Sequence, residues 1–429
     1  MSMNRTDPTK AAEASPGASS VPSDLQDERL QSRTGARGAI QGFIDRTRSG
    51  DLGVLPVVAG LVVIWIVFQA LNPIFLSSRN LENLLMESVV VGVISLGIVG
   101  VLLVGQIDLS VGSVSGLSAG VFAVFFVING VPWPVVVIGC LVVGALIGWF
   151  YSQMFNRFGV PSFVITLAGL LAFLGLQLQV LGAQGSINIP FDSAPVRFAQ
   201  SLFVPQPLAY VLALVAGAGF FAGRISLARA RKAAGLSFRS TTSIAVTAAL
   251  LTVGVAAVSW VLYQGTGRGV GWMVVLFVLL VLAYNYALTR TKWGRSVFAV
   301  GGNTEAARRA GINVRAIYTS VFVLCSTLAA LGGVLAASRL AAANQATGTG
   351  DVNLNAIAAA VIGGTSLFGG RGSAFSALLG VIVIQSISSG LTLLGLGSAF
   401  RFIVTGLVLL LAVALDSISR RSRGAHGRA

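Results

Sequence analysis

From Gly53 onward the chain alternates between long apolar runs and short polar stretches. A helix needs about 20 apolar residues to cross a bilayer. Twelve runs approach that length: 54–71, 84–104, 110–129, 133–154, 160–182, 206–223, 243–263, 270–288, 314–337, 355–370, 374–396 and 399–415. They predict an all-α polytopic membrane protein with about 12 transmembrane helices. Two runs are interrupted. VGQIDLSVGSVSGLSAG sets Gly105, Gln106, Asp108, Ser110 and Ser113 between hydrophobic stretches, and AAAVIGGTSLFGGRGSAF does the same with Gly363, Gly364 and Thr365, then Gly369, Gly370 and Gly372. Broken backbone survives at membrane depth only where protein or a cavity surrounds it. Gly-broken helices are therefore expected in both halves, with these polar positions lining a path or shaping a gate.

Asp108 has a second reading, as a cap on the helix that follows it. Gly112, Gly116 and Gly120 recur every fourth residue, which lets a neighbour approach closely and predicts deep packing. Gln177, Gln179 and Gln385 can either tie helices together or meet a hydroxylated solute. Asp108 and Glu87 have no evident basic partner within the spans, which leaves little for a proton-coupled relay.

Composition agrees with the pattern. The chain is 55% hydrophobic and 10% charged, with a mean hydropathy of +0.85, whereas soluble domains carry about 25% charged residues. The net charge of +15 is scattered over short loops, with no basic stripe interleaved with aromatics, so nucleic acid is excluded as a partner. The charge orients the chain instead. Alternate loops are basic: Arg157; Arg224, Arg229, Arg231, Lys232 and Arg239; then 289–313; then Arg371; then Arg420, Arg421, Arg423 and Arg428. The intervening loops carry only Arg79, Arg197, Arg268, Arg339 and Arg401. Both termini are expected in the cytoplasm. Residues 1–50 are predicted to be a disordered cytoplasmic tail with no cleavable signal peptide. Residues 51–416 are the membrane domain, and 417–429 a basic cytoplasmic tail.

Cys140 and Cys325 lie in apolar runs, and His426 is the single histidine. That set supplies no metal site and no disulfide framework. No GxxxxGK[ST] motif holds nucleotide phosphates and no Ser/His/Asp set is possible, so the chain is expected not to be an enzyme. Energy for active transport would come from another subunit. The loop RTKWGRSVFAVGGNTEAARRAGI, residues 290–312, suits contact with one. Gly301-Gly302 allows a turn, Asn303 or Thr304 can cap a helix of about two turns, Ala306, Ala307 and Ala310 line it, and Gly311 can end it.

GQIDLSVGS, GRSVFAVGGNTEAARRAGI and AAAVIGGTSLFGGRGS resemble the permease subunits of bacterial ATP-binding-cassette sugar importers, in the ribose/xylose branch. The likeness extends from about Leu55 to Leu415. The pair of spans flanking the basic loop 224–239 resembles the xylose type more than the shorter ribose type. The resemblance implies ten spans plus this extra pair, in the inner membrane. It implies a homodimer, a separate ATPase subunit that holds ATP and Mg, and a soluble periplasmic or lipid-anchored sugar-binding protein. It further implies that 289–313 carries a coupling helix, making Gly294, Arg295, Gly301, Gly302, Asn303, Glu305, Ala306, Ala307, Arg308 and Gly311 the candidate transmission residues. A monosaccharide is the expected cargo, xylose first. The rivals are an ion-coupled secondary sugar carrier and a non-transporting membrane scaffold.

Overall fold

The computed structural model describes residues 55–265, 267–349 and 352–425. The tail expected at 1–50 and the residues from His426 onward lie outside them. In chain order the elements are α1 (Leu55–Leu71), α2 (Ser78–Leu103), α3 (Val111–Ala123, extended by a π-helical turn Val124–Ile128), α4 (Trp133–Phe158), α5 (Ser162–Leu181), β1 (Ser186–Asn188), α6 (Ala194–Gln200), α7 (Gln206–Ala233), α8 (Thr241–Leu262), α9 (Trp272–Arg290), α10 (Lys292–Gly302), α11 (Thr304–Arg309), α12 (Val314–Leu340), β2 (Ala342–Asn344), α13 (Val352–Ile362), α14 (Ala374–Leu393) and α15 (Ser398–Ala425). Among the described residues nine helices are long and apolar enough to cross a membrane, and α1, α13 and Ser398–Val408 are shorter apolar helices.

Each of the twelve apolar runs thus becomes a helix, with one correction. The run 355–370 is helical only to Ile362, because Gly363 and Gly364 (φ +103°) end it and a loop continues to Ser373. Eleven residues extend about 16 Å, half of a hydrocarbon core, so α13 is a half-helix. The chain reaches it by turning back after α12 through β2, which pairs antiparallel with β1 (Ile187 opposite Ala343).

Contacts divide the chain into two compact units. One comprises, among described residues, Leu212–Val255; the other runs to Val211 and resumes at Ala256. In the smaller unit α7 and α8 meet where Gly217 faces Ala248 and Thr252. In the larger, α12 is central and packs against α2, α3 and α4. Lipid tails are as apolar as leucine, so close van der Waals contact drives this association rather than exclusion of water. Small residues permit it. Gly148 of α4 lies directly against the Phe322 carbonyl of α12, and Gly97 of α2 against Cys325. Cys140 and Cys325 are both buried and free, as packing residues are.

The deep packing predicted for 112–120 is present, but part of it is against irregular chain. Gly112 faces Gly348 and Asn353, and Gly116 faces Gln177 and Thr347. Large apolar side chains such as Ile66, Ile138, Leu146, Leu279 and Ile403 point outward, as a lipid-facing surface requires.

Candidate functional site

The loop after α9 holds two helices where the sequence suggested one. Thr291 Oγ1 accepts from the Gly294 amide (3.2 Å) and donates to the Ala287 carbonyl (2.6 Å), so α10 starts with a sharp turn out of α9. Gly294 packs against Leu288 of α9, where a Cβ would collide with backbone. α10 buries Gly294, Val297 and Val300, exposes Lys292 and Arg295, and is tied to α12 by Trp293 Nε1 donating to Ser320 Oγ (2.8 Å). The spacing 294, 297, 300 is a helical face, a signal hidden in the sequence by the surrounding glycines.

Asn303 then breaks the helix in an extended conformation and caps α11 by accepting from the Ala306 amide (2.9 Å). Thr304, the other capping candidate, donates back to the Val300 carbonyl instead (3.1 Å). Ala307 is buried, while Ala306, Glu305 and Arg308 are exposed, the last two forming an ion pair at 2.7 Å. Gly311 (φ +81°) ends the turn. An anchored inner face beneath an exposed polar one is suited to receiving a partner.

The far end of α10 is the centre of the site. A Cβ on Gly301 would collide with the Leu103 carbonyl oxygen at the end of α2 and would stand 2.7 Å from the Gly370 amide nitrogen. That amide donates to the same Leu103 carbonyl (2.9 Å). Gly369 (φ +84°) has no room for a side chain either: a Cβ would lie 2.8 Å from the Gly301 carbonyl oxygen and 2.9 Å from the Gly105 nitrogen. Three segments remote in sequence, 103–106, 301–302 and 368–370, therefore meet backbone to backbone. Close-packed contacts transmit strain, and no flexible side chain lies between these to absorb it. Contrary to the expected turn, Gly301-Gly302 is the last part of a helix, and Gly301 is required for close approach.

From this junction the first broken element re-enters the bundle. The Ile107 amide donates to Ser162 Oγ (3.4 Å) and the Leu109 amide to Thr166 Oγ1 (3.1 Å). Asp108 Oδ1 accepts from the amide (2.8 Å) and hydroxyl (2.7 Å) of Ser110, and Tyr151 donates to Ser110 Oγ (2.8 Å). The carboxyl is buried beside the Cys325 thiol, with no basic side chain paired to it among the described residues. Asp108 thus shapes the turn that leads into α3, accepting from the Ser110 amide as the capping reading expects, but the N-cap itself is Ser110, which makes no side-chain cap bond. Asp108 does so from a depth where an ionisable group is costly.

The proposed gate positions do not form one cluster. Gln106 is half-buried beside the junction, whereas Asp108, Ser110 and Ser113 lie deeper, at the level of Asn353, whose Nδ2 donates to the Leu109 carbonyl (2.7 Å). Gly363, Gly364 and Thr365 follow the other end of α13, about 15 Å of helix away. Gly363 abuts Ser376 of α14, Gly364 is exposed and Thr365 is buried. Gln177 is a tie: its Nε2 donates to the Asn344 and Thr347 carbonyls (3.0 and 2.9 Å). Gln179 is exposed and Gln385 half-buried. Two ion pairs lie at the opposite end of the larger unit. Glu87, which has no evident basic partner in the sequence, pairs with Arg339 (3.3 Å), and buried Glu82 pairs with Arg268 (3.0 Å), whose amide also donates to it (2.8 Å). Separations of 252 and 186 residues hid them.

Comparison with known proteins adds to this geometry. The sequence profile of the family described as "Branched-chain amino acid transport system / permease component" matches residues 80–413. The xylose transport system permease protein XylH of Escherichia coli (strain K12) is 36% identical over 381 residues, 89% of this chain and 95% of that protein. XylH of Haemophilus influenzae is 32% identical over 88% of this chain and 99% of its own length. The ribose import permease protein RbsC of Bacillus subtilis is 32% identical over 83% of this chain and 90% of its own. No solved structure matches. With nearly its whole membrane region matched and nine helices among the described residues able to span, the chain belongs to this family of permease components and is a multi-pass membrane protein.

Proposed function

We propose that the chain is the transmembrane subunit of an ATP-driven importer of a monosaccharide, with xylose or a related pentose as cargo. The cargo assignment is supported by the similarity to the xylose and ribose permeases above. A separate ATPase subunit, holding ATP and Mg2+, grips the exposed face of α11. A soluble sugar-binding protein delivers cargo at the opposite end of the bundle, and a second copy of the chain completes the pore. The end bearing α10 and α11 faces the cytoplasm. This is supported by its charge: Arg290, Lys292, Arg295, Arg308, Arg309 and Arg371 stand there against Glu305, whereas at the other end Arg268 and Arg339 are matched by Glu82 and Glu87.

The observation that carries this reading is the contact of Gly301 with Leu103 and Gly370. Movement of α10 and α11 under an ATPase reaches both broken elements through it, and these in turn abut α3, α13 and α14. Each ligand needs only to favour a different state of the bundle, a coupling of about 1–3 kcal/mol between sites.

Reconstitution of the chain with its ATPase and binding protein tests the proposal. Uptake of labelled pentose should require ATP, the binding protein and all three components. Uphill uptake by the chain alone on a proton or sodium gradient would make it a secondary carrier, and assembly without flux would make it a scaffold.

A further inference from the structure

The hairpin of α7 and α8 is left unused by the coupling just described, and it carries a concentration of charge. No aspartate or glutamate occurs between Ser193 and Thr304. The 28 residues of α7 extend about 42 Å, some 12 Å beyond a 30 Å hydrocarbon core. Its apolar part is 206–223, so the overhang is the basic stretch beginning at Arg224. This end is folded rather than loose. Arg231 Nε donates to the Ser237 carbonyl (2.7 Å), turning the chain back so that Phe238 and Arg239 lie near the end of α7. Lys232 stands over the Phe238 ring at 5.8 Å, and Arg224 over Phe220 at 5.3 Å.

This hairpin is the least covered by protein among the described spans. Only 11% of the apolar window of α7 and 17% of that of α8 is buried in protein, the lowest values among the nine spans. Leu214, Val215, Leu250 and Val253 are all more than half exposed. Basic side chains directly beyond a lipid-bathed helix lie at the level of headgroup phosphates, and arginine forks match phosphate oxygens.

We propose that Arg224, Arg229, Lys232 and Arg239 form a binding site for the phosphate of an anionic phospholipid. The folded turn keeps these cations at one end of the hairpin, and the exposed apolar flanks accept the acyl chains. The site anchors the hairpin in the bilayer independently of which solute is carried.

Lipid retained by the full chain purified in mild detergent is the readout, measured by mass spectrometry after equilibration with phosphatidylglycerol and phosphatidylcholine in equal amounts. The wild type should retain phosphatidylglycerol in preference. Combined Arg224→Gln, Arg229→Gln, Lys232→Gln and Arg239→Gln should lower that retention by about tenfold or more. Arg224→Lys, Arg229→Lys and Arg239→Lys together should keep most of it. Should the glutamine variant not insert, a salt titration of the wild type decides: retention of phosphatidylglycerol must fall as ionic strength rises. Equal retention of phosphatidylcholine, retention unchanged by neutralisation or by salt, or displacement of the lipid by an equal concentration of inorganic phosphate would each overturn the proposal, the last in favour of a soluble-anion site.

Discussion

Two adjacent glycines illustrate how much a residue's role depends on its tertiary neighbour. Gly301 and Gly302 are the same residue type at the end of α10, yet a Cβ on the first meets the Leu103 carbonyl and a Cβ on the second meets nothing within 4 Å. Gly301→Ala is expected to destabilise the folded chain by about 1–3 kcal/mol, as overpacking does, and to lower ATP-driven uptake. Gly302→Ala should stay within about 0.5 kcal/mol of the wild type. Thermal unfolding in detergent and uptake in proteoliposomes check both, and equal effects of the two would remove the junction from the mechanism. The pair was legible in the sequence as unusual, but not as unequal, because the distinction lies in chain nearly 200 residues away. Glu82 shows the same limit. It is buried, and its partner Arg268 is 43% exposed, so Glu82→Gln should cost about 1.5–3 kcal/mol, the scale of a hydrogen bond to a charged group, measured as a lower unfolding temperature.

At the level of elements, periodicity marked the long helices and failed on short ones. α12 and α2 have apolar runs of more than 20 residues that read as spans on sight. α10 was invisible because its buried face includes Gly294, and α13 was overextended because Gly363 and Gly364 stop it inside an apolar run. α11 was legible through chemistry rather than hydropathy: Asn303 before it and Gly311 after it are cap and stop. Its surface pair separates stability from function. Glu305 and Arg308 are 65% and 62% exposed, and exposed ion pairs contribute only about 0.2–1 kcal/mol. The double substitution Glu305→Ala and Arg308→Ala should therefore leave the unfolding temperature nearly unchanged while ATP-driven uptake falls severalfold. Asn303→Ala should do both, losing about 1 kcal/mol of capping along with uptake. Normal uptake in the double variant, with the ATPase still bound, would take the partner contact away from α11.

For the whole molecule the sequence was most informative where the physics is coarsest. Apolar length decides what spans, and the Lys/Arg bias of the loops predicts which side each end faces; neither depends on knowing tertiary contacts. The re-entrant chain that follows β2 was not legible, since the Asn344 and Thr347 carbonyls are satisfied by Gln177, which only the fold brings near. Orientation can be tested with little disturbance, because the native Cys140 and Cys325 are 1% and 0% exposed and should not react with a charged maleimide from either face. Arg309→Cys places an exposed thiol at the end of α11, and Asp192→Cys places one in the loop between β1 and α6. In intact right-side-out vesicles the reagent should label the second and spare the first, and inverted vesicles should reverse the pattern. Labelling of Arg309→Cys from outside would turn the molecule over, putting α11 on the wrong side of the membrane for any ATPase to reach.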